Sequence, residues 1–191
     1  IYECKARGRF RKEKITPLAG DKVKISIDPV SNLGMIEEIL PRETELTRPP
    51  VANVNQAVIV FAIKQPEPNL SLLDKMLAMI EKEGLDSIIC VNKIDLDENH
   101  DADQIRSIYE LAGYPVIYTS TKLSIGLEEI KSRLKGRVTV LAGPSGVGKS
   151  SLLNAIQPGL RLKTGKISQK TKRGRHTTRH VELLKLDIGG W

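Results

Sequence analysis

From residue 51 onward, hydrophobic positions follow two spacings. Short continuous apolar runs rich in Val and Ile are typical of strands buried on both faces of a sheet. Between these runs, apolar residues recur every three to four positions, which is typical of helices that pack one face on a sheet. The predicted strands are 57–63, 87–91, 116–119 and 138–142, and the predicted helices are 72–80, 102–112, 127–134 and 150–156. This alternation predicts an α/β domain with a parallel-rich sheet wrapped by helices.

The first 48 residues show a different pattern, with short apolar segments between turn-forming residues. The predicted strands are 2–12, which is strongly basic, 22–27 and 35–39. The turn signals are Gly20-Asp21 and Asn32-Leu33-Gly34. So few strands cannot close a barrel, so we predict that residues 1–48 are part of a small β-domain. Arg48-Pro49-Pro50 is typical of a linker, which makes residues 49–191 the second domain.

Composition narrows the class of protein. The longest apolar run, 57–63, is too short to cross a bilayer, and no charged-then-apolar signal segment opens the chain. Cys4 and Cys90 give neither a disulfide framework nor a CxxC metal pair. We therefore expect a cytoplasmic protein without a membrane partner. Because the chain begins with Ile1 rather than Met, we expect it to be part of a longer gene product.

A glycine-rich segment follows the strand predicted at 138–142 and fits the pattern GxxxxGK[ST]. Glycines let successive backbone N–H groups turn toward phosphate oxygens, and the N-terminus of the following helix favours an anion. Lys149 would reach the β- and γ-phosphates, as a binding and catalytic residue, and Ser150 would bind Mg²⁺. The residues assigned to nucleotide binding here are Gly143, Pro144, Ser145, Gly146, Val147, Gly148, Lys149, Ser150 and Ser151.

A second motif, Asn92-Lys93-Ile94-Asp95, follows the strand predicted at 87–91 and matches NKxD, a guanine reader. The Asp95 carboxylate can accept hydrogen bonds from guanine N1–H and the 2-amino group, whereas adenine would leave it unpaired. The Lys93 stem can cover the flat base, and Asn92 would tie this loop to the phosphate loop. By itself the match could be an ordinary polar strand end, but the glycine-rich loop in the same chain favours guanine binding.

The order of the motifs is informative. Ser120-Thr121-Lys122 follows the next predicted strand, where GTPases carry a Ser-Ala-Lys-like loop whose backbone contacts guanine O6. In most GTPases the phosphate loop precedes both base-reading loops. Here it follows them, at residues 143–150, so we predict a circularly permuted P-loop GTPase domain.

Further features narrow this class. Besides the preceding β-domain, they are the linker Arg42…Leu46-Thr47-Arg48-Pro49…Ala52-Asn53-Val54-Asn55-Gln56 and the segment Gly174-Arg175-His176-Thr177-Thr178 after a basic stretch. Together these residues resemble the ribosome-small-subunit-dependent GTPase A family, the permuted GTPases of bacterial small-subunit maturation. The resemblance covers essentially all 191 residues.

The resemblance implies a partial OB-fold at 1–48, whose first strands would lie before Ile1, and a GTPase domain at 49–191 whose final strands lie beyond this chain. It implies GTP or GDP and Mg²⁺ as ligands, with Zn²⁺ only in a C-terminal domain whose ligands are not in this chain. The implied function is GTP hydrolysis, slow alone and stimulated by the small subunit. Hydrolysis would be coupled to late 30S maturation and followed by release. The expected partners are the small ribosomal subunit and 16S rRNA, and we expect a monomer.

The positive charge is concentrated in one segment. The chain carries +7, whereas residues 161–181 alone carry +8, which leaves −1 for the rest. This segment lies where a GTPase has its first switch region, and we predict Thr177, or alternatively Thr178, as a Mg²⁺ ligand and γ-phosphate sensor. Its charges, including Lys170, Lys172 and Arg173, either pair with rRNA phosphates in one nucleotide state or form a solvated loop.

His176 is next to the switch threonines and is a candidate to orient the water that attacks the γ-phosphoryl group. Alternatively, His176 contacts RNA, or it is an exposed loop histidine with neither of these roles. Two other functions remain open at this point. One is an ATP-dependent P-loop kinase or ATPase, which Asp95 disfavours. The other is an RNA-binding module that uses its nucleotide only structurally.

Asp187-Ile188-Gly189-Gly190 matches DxxG, the pattern by which GTPases contact Mg²⁺ through water. Asp187 comes nine positions after Thr178, too few for the two strands and turn that a GTPase places there. We therefore predict a strand at 181–186, a hairpin turn at 187–190 and the start of a second strand at Trp191. The functional DxxG would then lie beyond this chain.

Overall fold

The computed structural model describes residues 1–47, 49–162 and 181–191. These residues form two compact units. The first contains residues up to Val54 and residues 181–183, and the second contains the remaining described residues. The first unit contains β1 (Cys4–Ala6), α1 (Arg9–Lys12), β2 (Val23–Ile27), β3 (Gly34–Ile39), β4 (Glu45–Thr47) and β5 (Pro50–Ala52). Its sheet has the order β1-β3-β2, with β1 parallel and β2 antiparallel to β3, while β4 and β5 form a separate antiparallel ladder.

Two sequence predictions for this unit are wrong. Residues 2–12 do not form one strand, because only Cys4–Ala6 is extended and Arg9–Lys12 is helical. The helix buries Phe10, and this apolar burial favours the helical turn over a continuous strand. The predicted linker at 48–50 is also wrong, since Pro50 opens β5 and pairs with Thr47. Proline is tolerated as the first residue of such a short edge strand.

The second unit is built on a four-stranded parallel sheet within the described residues. Its strands are β6 (Gln56–Ala62), β7 (Asp86–Asn92), β8 (Val116–Thr119) and β9 (Thr139–Ala142), in the order β8-β7-β6-β9. Every neighbouring pair is parallel, as predicted. Every residue of β6 is buried, which is the environment that its continuous apolar run indicates.

Helices connect the strands of this sheet. They are α2 (Leu70–Lys82), α3 (Asp101–Leu111), α4 (Leu127–Leu134) and α5 (Lys149–Ile156), and the predicted helices are confirmed. Leu152 and Ile156 of α5 pack in the same core cluster as Ile130 and Leu134 of α4. This packing fixes α5, and so the loop that precedes it. No helix in the described part of the chain is long and apolar enough to span a bilayer.

The described C-terminal residues confirm the predicted turn but not the predicted strand. Residues 181–186 form no strand in the structure. A turn follows, closed by the Leu186 N–H that donates to Gly190 O at 3.0 Å. Trp191 then lies beside the residues that lead into β9, donating to Arg137 O at 2.9 Å and accepting from Thr139 N–H at 2.8 Å.

Candidate nucleotide-binding site

The predicted site segments follow neighbouring strands of the parallel sheet. The glycine-rich loop follows β9, Lys93 follows β7, and Ser120 follows β8. The carboxyl ends of parallel strands meet at one edge of the sheet, which is where ligands bind in open α/β folds. The structure therefore brings the three segments to the same edge.

The glycine-rich loop approaches the sheet too closely for side chains at two positions. Gly143 has a φ of +136°, and a Cβ there would collide with the backbone carbonyl of Val60. Gly148 has a φ of +100°, and a Cβ there would collide with the side-chain amide of Asn92. Both positions need glycine because other residues rarely adopt these angles and have no room here. These close approaches set the path of the loop ahead of α5, where successive backbone N–H groups and a helix N-terminus suit phosphate oxygens.

Lys149 lies at the first position of α5, and its ammonium group turns back over this loop. Its Nζ donates to Gly143 O at 2.7 Å and to Pro144 O at 2.6 Å. Burial lowers the pKa of Lys149, because a partly dehydrated ammonium is less stable than a solvated one. Ser150 and Ser151 follow Lys149 in the first turn of the helix and are half-buried.

Asn92 ties the base-reading loop to the phosphate loop, as predicted. It is only 1% exposed, and its Nδ2 donates to Val147 O at 2.8 Å. Its Oδ1 accepts a hydrogen bond from the Thr119 hydroxyl at 3.0 Å. Its backbone carbonyl accepts from Ile63 N–H at 3.0 Å, which joins the ends of β6 and β7. The two loops are therefore held at a defined separation.

Lys93 makes a second connection that the sequence did not reveal. Its backbone adopts a φ of +62°, and its Nζ donates to Gly146 O at 2.8 Å and to Gln65 O. Desolvation lowers the pKa of Lys93, and the nearby Asp95 carboxylate opposes that effect. The NKxD motif predicts that the Lys93 stem covers a base. It does not predict which backbone carbonyls accept from the ammonium group, because every residue has a carbonyl.

Asp95 is held by the loop that follows β8. The Ser120 hydroxyl donates to its Oδ1 at 2.6 Å, and the Lys122 ammonium lies 4.0 Å from its Oδ2. The Ser120 hydroxyl in turn accepts from Leu123 N–H at 3.1 Å. Ile94 and Thr121 lie in the same two loops and are half-buried. The two predicted base-reading segments thus contact each other.

Some predicted site residues lie outside the described part of the chain. These are His176, Thr177 and Thr178, together with the basic residues Lys170, Lys172 and Arg173. Of the predicted Mg²⁺ ligands, the structure describes Ser150.

The DxxG-like segment lies far from the phosphate loop. Asp187 N–H donates to the side chain of Gln157 at 2.8 Å, and Gln157 follows the last residue of α5. Ser150 is at the opposite end of that helix, and eight helical residues span about 12 Å. The adjoining Trp191 pairs with Thr139 at the amino end of β9, whereas the phosphate loop leaves its carboxyl end. Asp187 therefore lies away from Ser150, as predicted.

Two solved structures share this architecture. The crystal structure of YjeQ from Thermotoga maritima superposes with a TM-score of 0.78 at 41% identity, covering 98% of this chain and 63% of that one. YloQ, described as a circularly permuted GTPase, superposes with a TM-score of 0.66 at 44% identity, covering 83% and 56%. With the base-reading loop on β7 and the phosphate loop on the later β9, the fold and site define a circularly permuted P-loop GTPase domain preceded by a partial OB-fold.

Family models identify the particular family. The RsgA N-terminal domain matches residues 1–36, and the RsgA GTPase matches residues 39–191. The chain belongs to the RsgA GTPase family, as the resemblance predicted. One curated relative, the small ribosomal subunit biogenesis GTPase RsgA of Alkaliphilus metalliredigens, is 54% identical over 100% of this chain and 66% of its own length. The relative of the same name from Caldanaerobacter subterraneus subsp. tengcongensis is 50% identical over 100% and 64%. The chain thus spans slightly less than two thirds of either relative.

Proposed function

We propose that this chain binds and hydrolyses GTP, and that hydrolysis serves late maturation of the small ribosomal subunit, with release of the protein afterwards. The observation that carries the proposal is the Asn92–Val147 hydrogen bond, which joins a guanine-type reading loop to a phosphate-type loop. The curated relatives are named small ribosomal subunit biogenesis GTPases, which supports the choice of the small subunit as the partner.

In this proposal each described segment binds one part of GTP. Asp95 accepts hydrogen bonds from guanine N1–H and the 2-amino group, while the loop of Ser120, Thr121 and Lys122 borders the base. The backbone of residues 143–148 binds the phosphates, and Lys149 neutralises charge that develops on them in the transition state. Glycine at 143 and 148 supports this role, because both positive φ angles and the close approach to Val60 and Asn92 that shape this loop require glycine.

Mg²⁺ fits the same loop. The Ser150 hydroxyl lies in the first turn of α5, directly after Lys149, which is where an oxygen ligand next to the phosphates is needed. When bound, Mg²⁺ would withdraw charge from the β- and γ-phosphates. We propose Ser150 and Thr177, with Thr178 as the alternative, as its protein ligands. His176 is proposed to orient the attacking water.

The remaining assignments concern the whole protein. We propose 16S rRNA as the contact within the small subunit, a monomeric state and a cytoplasmic location. We also propose that Zn²⁺ binds only to a C-terminal domain outside this chain. An ATP-dependent kinase or ATPase is not retained, because the Asp95 carboxylate, oriented by Ser120, suits guanine.

Nucleotide binding and turnover test the proposal. We expect GDP and GTP to bind at least about a hundredfold more tightly than ADP and ATP, because adenine leaves the Asp95 carboxylate unpaired. We also expect GTP turnover to rise when purified small subunits are added. The measurements are fluorescent-nucleotide titrations and phosphate release with and without subunits, with large subunits as the control. Equal affinity for the two bases, or turnover that small subunits do not change, would contradict the proposal.

A further inference from the structure

We propose that Thr119, supported by Cys90, is a positioning residue that fixes the side-chain amide of Asn92 and thereby the separation between the base-reading and phosphate loops. The inference rests on the proposed guanine-nucleotide site and adds to it residues that belong to none of its motifs. Thr119 ends β8, before the Ser-Thr-Lys loop, and Cys90 lies within β7, before the NKxD loop.

The three side chains form a continuous buried chain across two strands. Asn92 and Thr119 are direct partners in the parallel pairing of β7 with β8. The Thr119 hydroxyl lies 3.0 Å from Asn92 Oδ1 and 3.2 Å from Cys90 Sγ. Thr119 and Cys90 are both fully buried, so water does not compete for these contacts.

The donors and acceptors available set the direction of each hydrogen bond among Cys90, Thr119 and Asn92. The amide oxygen of Asn92 can only accept, so the Thr119 hydroxyl must use its single proton to donate to it. The contact between Thr119 and Cys90 therefore needs its proton from the thiol, which donates to the Thr119 oxygen. Burial raises the pKa of Cys90 to about 12, so the thiol keeps this proton at neutral pH.

The Val147 carbonyl, which can only accept, selects the orientation of the Asn92 amide in which Oδ1 faces the Thr119 hydroxyl. With its oxygen held by Thr119, its Nδ2 faces Val147 O at 2.8 Å. The flipped amide would place its oxygen against the Val147 carbonyl, so that two acceptors would face each other in a buried position. Gly148 leaves the amide the space it needs, since a Cβ there would collide with Nδ2.

The expected consequence concerns ligands that span both loops. A guanine nucleotide contacts the base-reading and phosphate loops at once, so its affinity depends on how well their separation is set beforehand. Guanosine contacts only the first loop, and inorganic pyrophosphate contacts only the second. A loss of positioning should therefore weaken GDP while leaving guanosine and pyrophosphate nearly unchanged, whereas general destabilisation should weaken all three.

Thr119→Val is the direct test, because it keeps the shape of the side chain and removes the hydroxyl. We expect about a tenfold loss of GDP affinity by titration calorimetry, as for one orienting hydrogen bond. Guanosine and pyrophosphate should change by less than about twofold. Thr119→Ser should restore GDP affinity, and Cys90→Ala should give a smaller loss than Thr119→Val.

Thr139→Val is a matched control. Its hydroxyl accepts from the Gln56 side chain at 3.0 Å, across the β6–β9 pair and at the opposite end of the sheet. It should lower the melting temperature without changing GDP affinity. In an Asn92→Ala background, Thr119→Val should cause no further loss of GDP affinity, because Thr119 acts through Asn92.

The outcomes separate this inference from the proposed function. If the unsubstituted chain does not prefer GDP to ADP, the proposed function fails. If it does, and Thr119→Val retains GDP affinity or loses affinity for all three ligands in proportion, the positioning role is overturned. Should Thr119→Val fail to fold, Cys90→Ala decides. In Cys90→Ala, a selective loss of GDP affinity supports the inference, and unchanged GDP affinity overturns it.

Discussion

Asp95 divides its two carboxylate oxygens between different neighbours. Ser120 donates to Oδ1 at 2.6 Å, while the largely exposed Lys122 ammonium lies 4.0 Å from Oδ2. The short hydroxyl contact orients the carboxylate, whose side chain is 11% exposed. An acceptor-only group held in this way can discriminate between bases by the donors that they present.

Asp95→Asn should change which base the chain prefers. An asparagine amide can still accept from N1–H, but its NH₂ group would face the 2-amino group of guanine, donor against donor. Xanthine carries an oxygen at that position and should pair with the amide. We expect GDP affinity to fall at least tenfold, in the range of one lost charge-assisted bond, and XDP affinity to rise. Competition titrations with both nucleotides measure this, and an unchanged preference for GDP would show that Asp95 does not read the base.

Among the elements, α3 illustrates how a helix next to the site is held. Asp97 accepts hydrogen bonds from Asp101 N–H at 3.0 Å and Ala102 N–H at 3.1 Å, so its carboxylate satisfies free donors of the first turn. Asp97→Ala should therefore lower the free energy of unfolding by about 1 kcal/mol. Urea denaturation checks this. The exposed Glu98→Ala is the control, and a loss of the same size there would contradict the capping role.

The helices and strands differ in how well the sequence predicts them. The continuous apolar runs of β6 and β7 predict strands buried on both faces, and the spacing of Leu73, Leu77 and Ile80 predicts a helix with one buried face. The short helix at Arg9–Lys12 could not be found in this way, since its formation depends on tertiary burial of Phe10. The strand at 181–186 was predicted from the spacing between Thr178 and Asp187, and no strand forms among these residues.

For the site, the motifs located the loops but not what holds them together. NKxD and the glycine-rich pattern identify residues by type and spacing, and Asn92 was correctly expected to join the loops. Thr119 and Cys90 were missed because they lie in apolar strand segments and belong to no recognised sequence motif. Only the register of β7 and β8 shows that they meet Asn92. The sequence offered one signal for them, which was a hydroxyl or thiol within a strand predicted to be buried.

At the scale of the whole molecule, charge is unevenly distributed along the chain. Residues 161–181 contribute +8 to a total of +7, so the remaining residues are close to neutral. A protein that bound polyanions through its general basicity would lose affinity about equally wherever charges were removed. A protein that binds through one segment would lose affinity only when that segment is neutralised. The two cases can be separated by substitutions of equal charge.

Replacing Lys170, Lys172 and Arg173 with glutamine should weaken binding to small ribosomal subunits. With fewer cations paired to RNA phosphates, binding releases fewer counterions. In a salt titration the slope of log affinity against log salt should become shallower by roughly 2–3. The control removes three exposed lysines from the second unit, Lys75, Lys82 and Lys135, and changes net charge equally. GDP affinity should stay unchanged in both variants. Equal weakening by the two triple variants would assign RNA affinity to overall charge rather than to the segment that precedes Thr177.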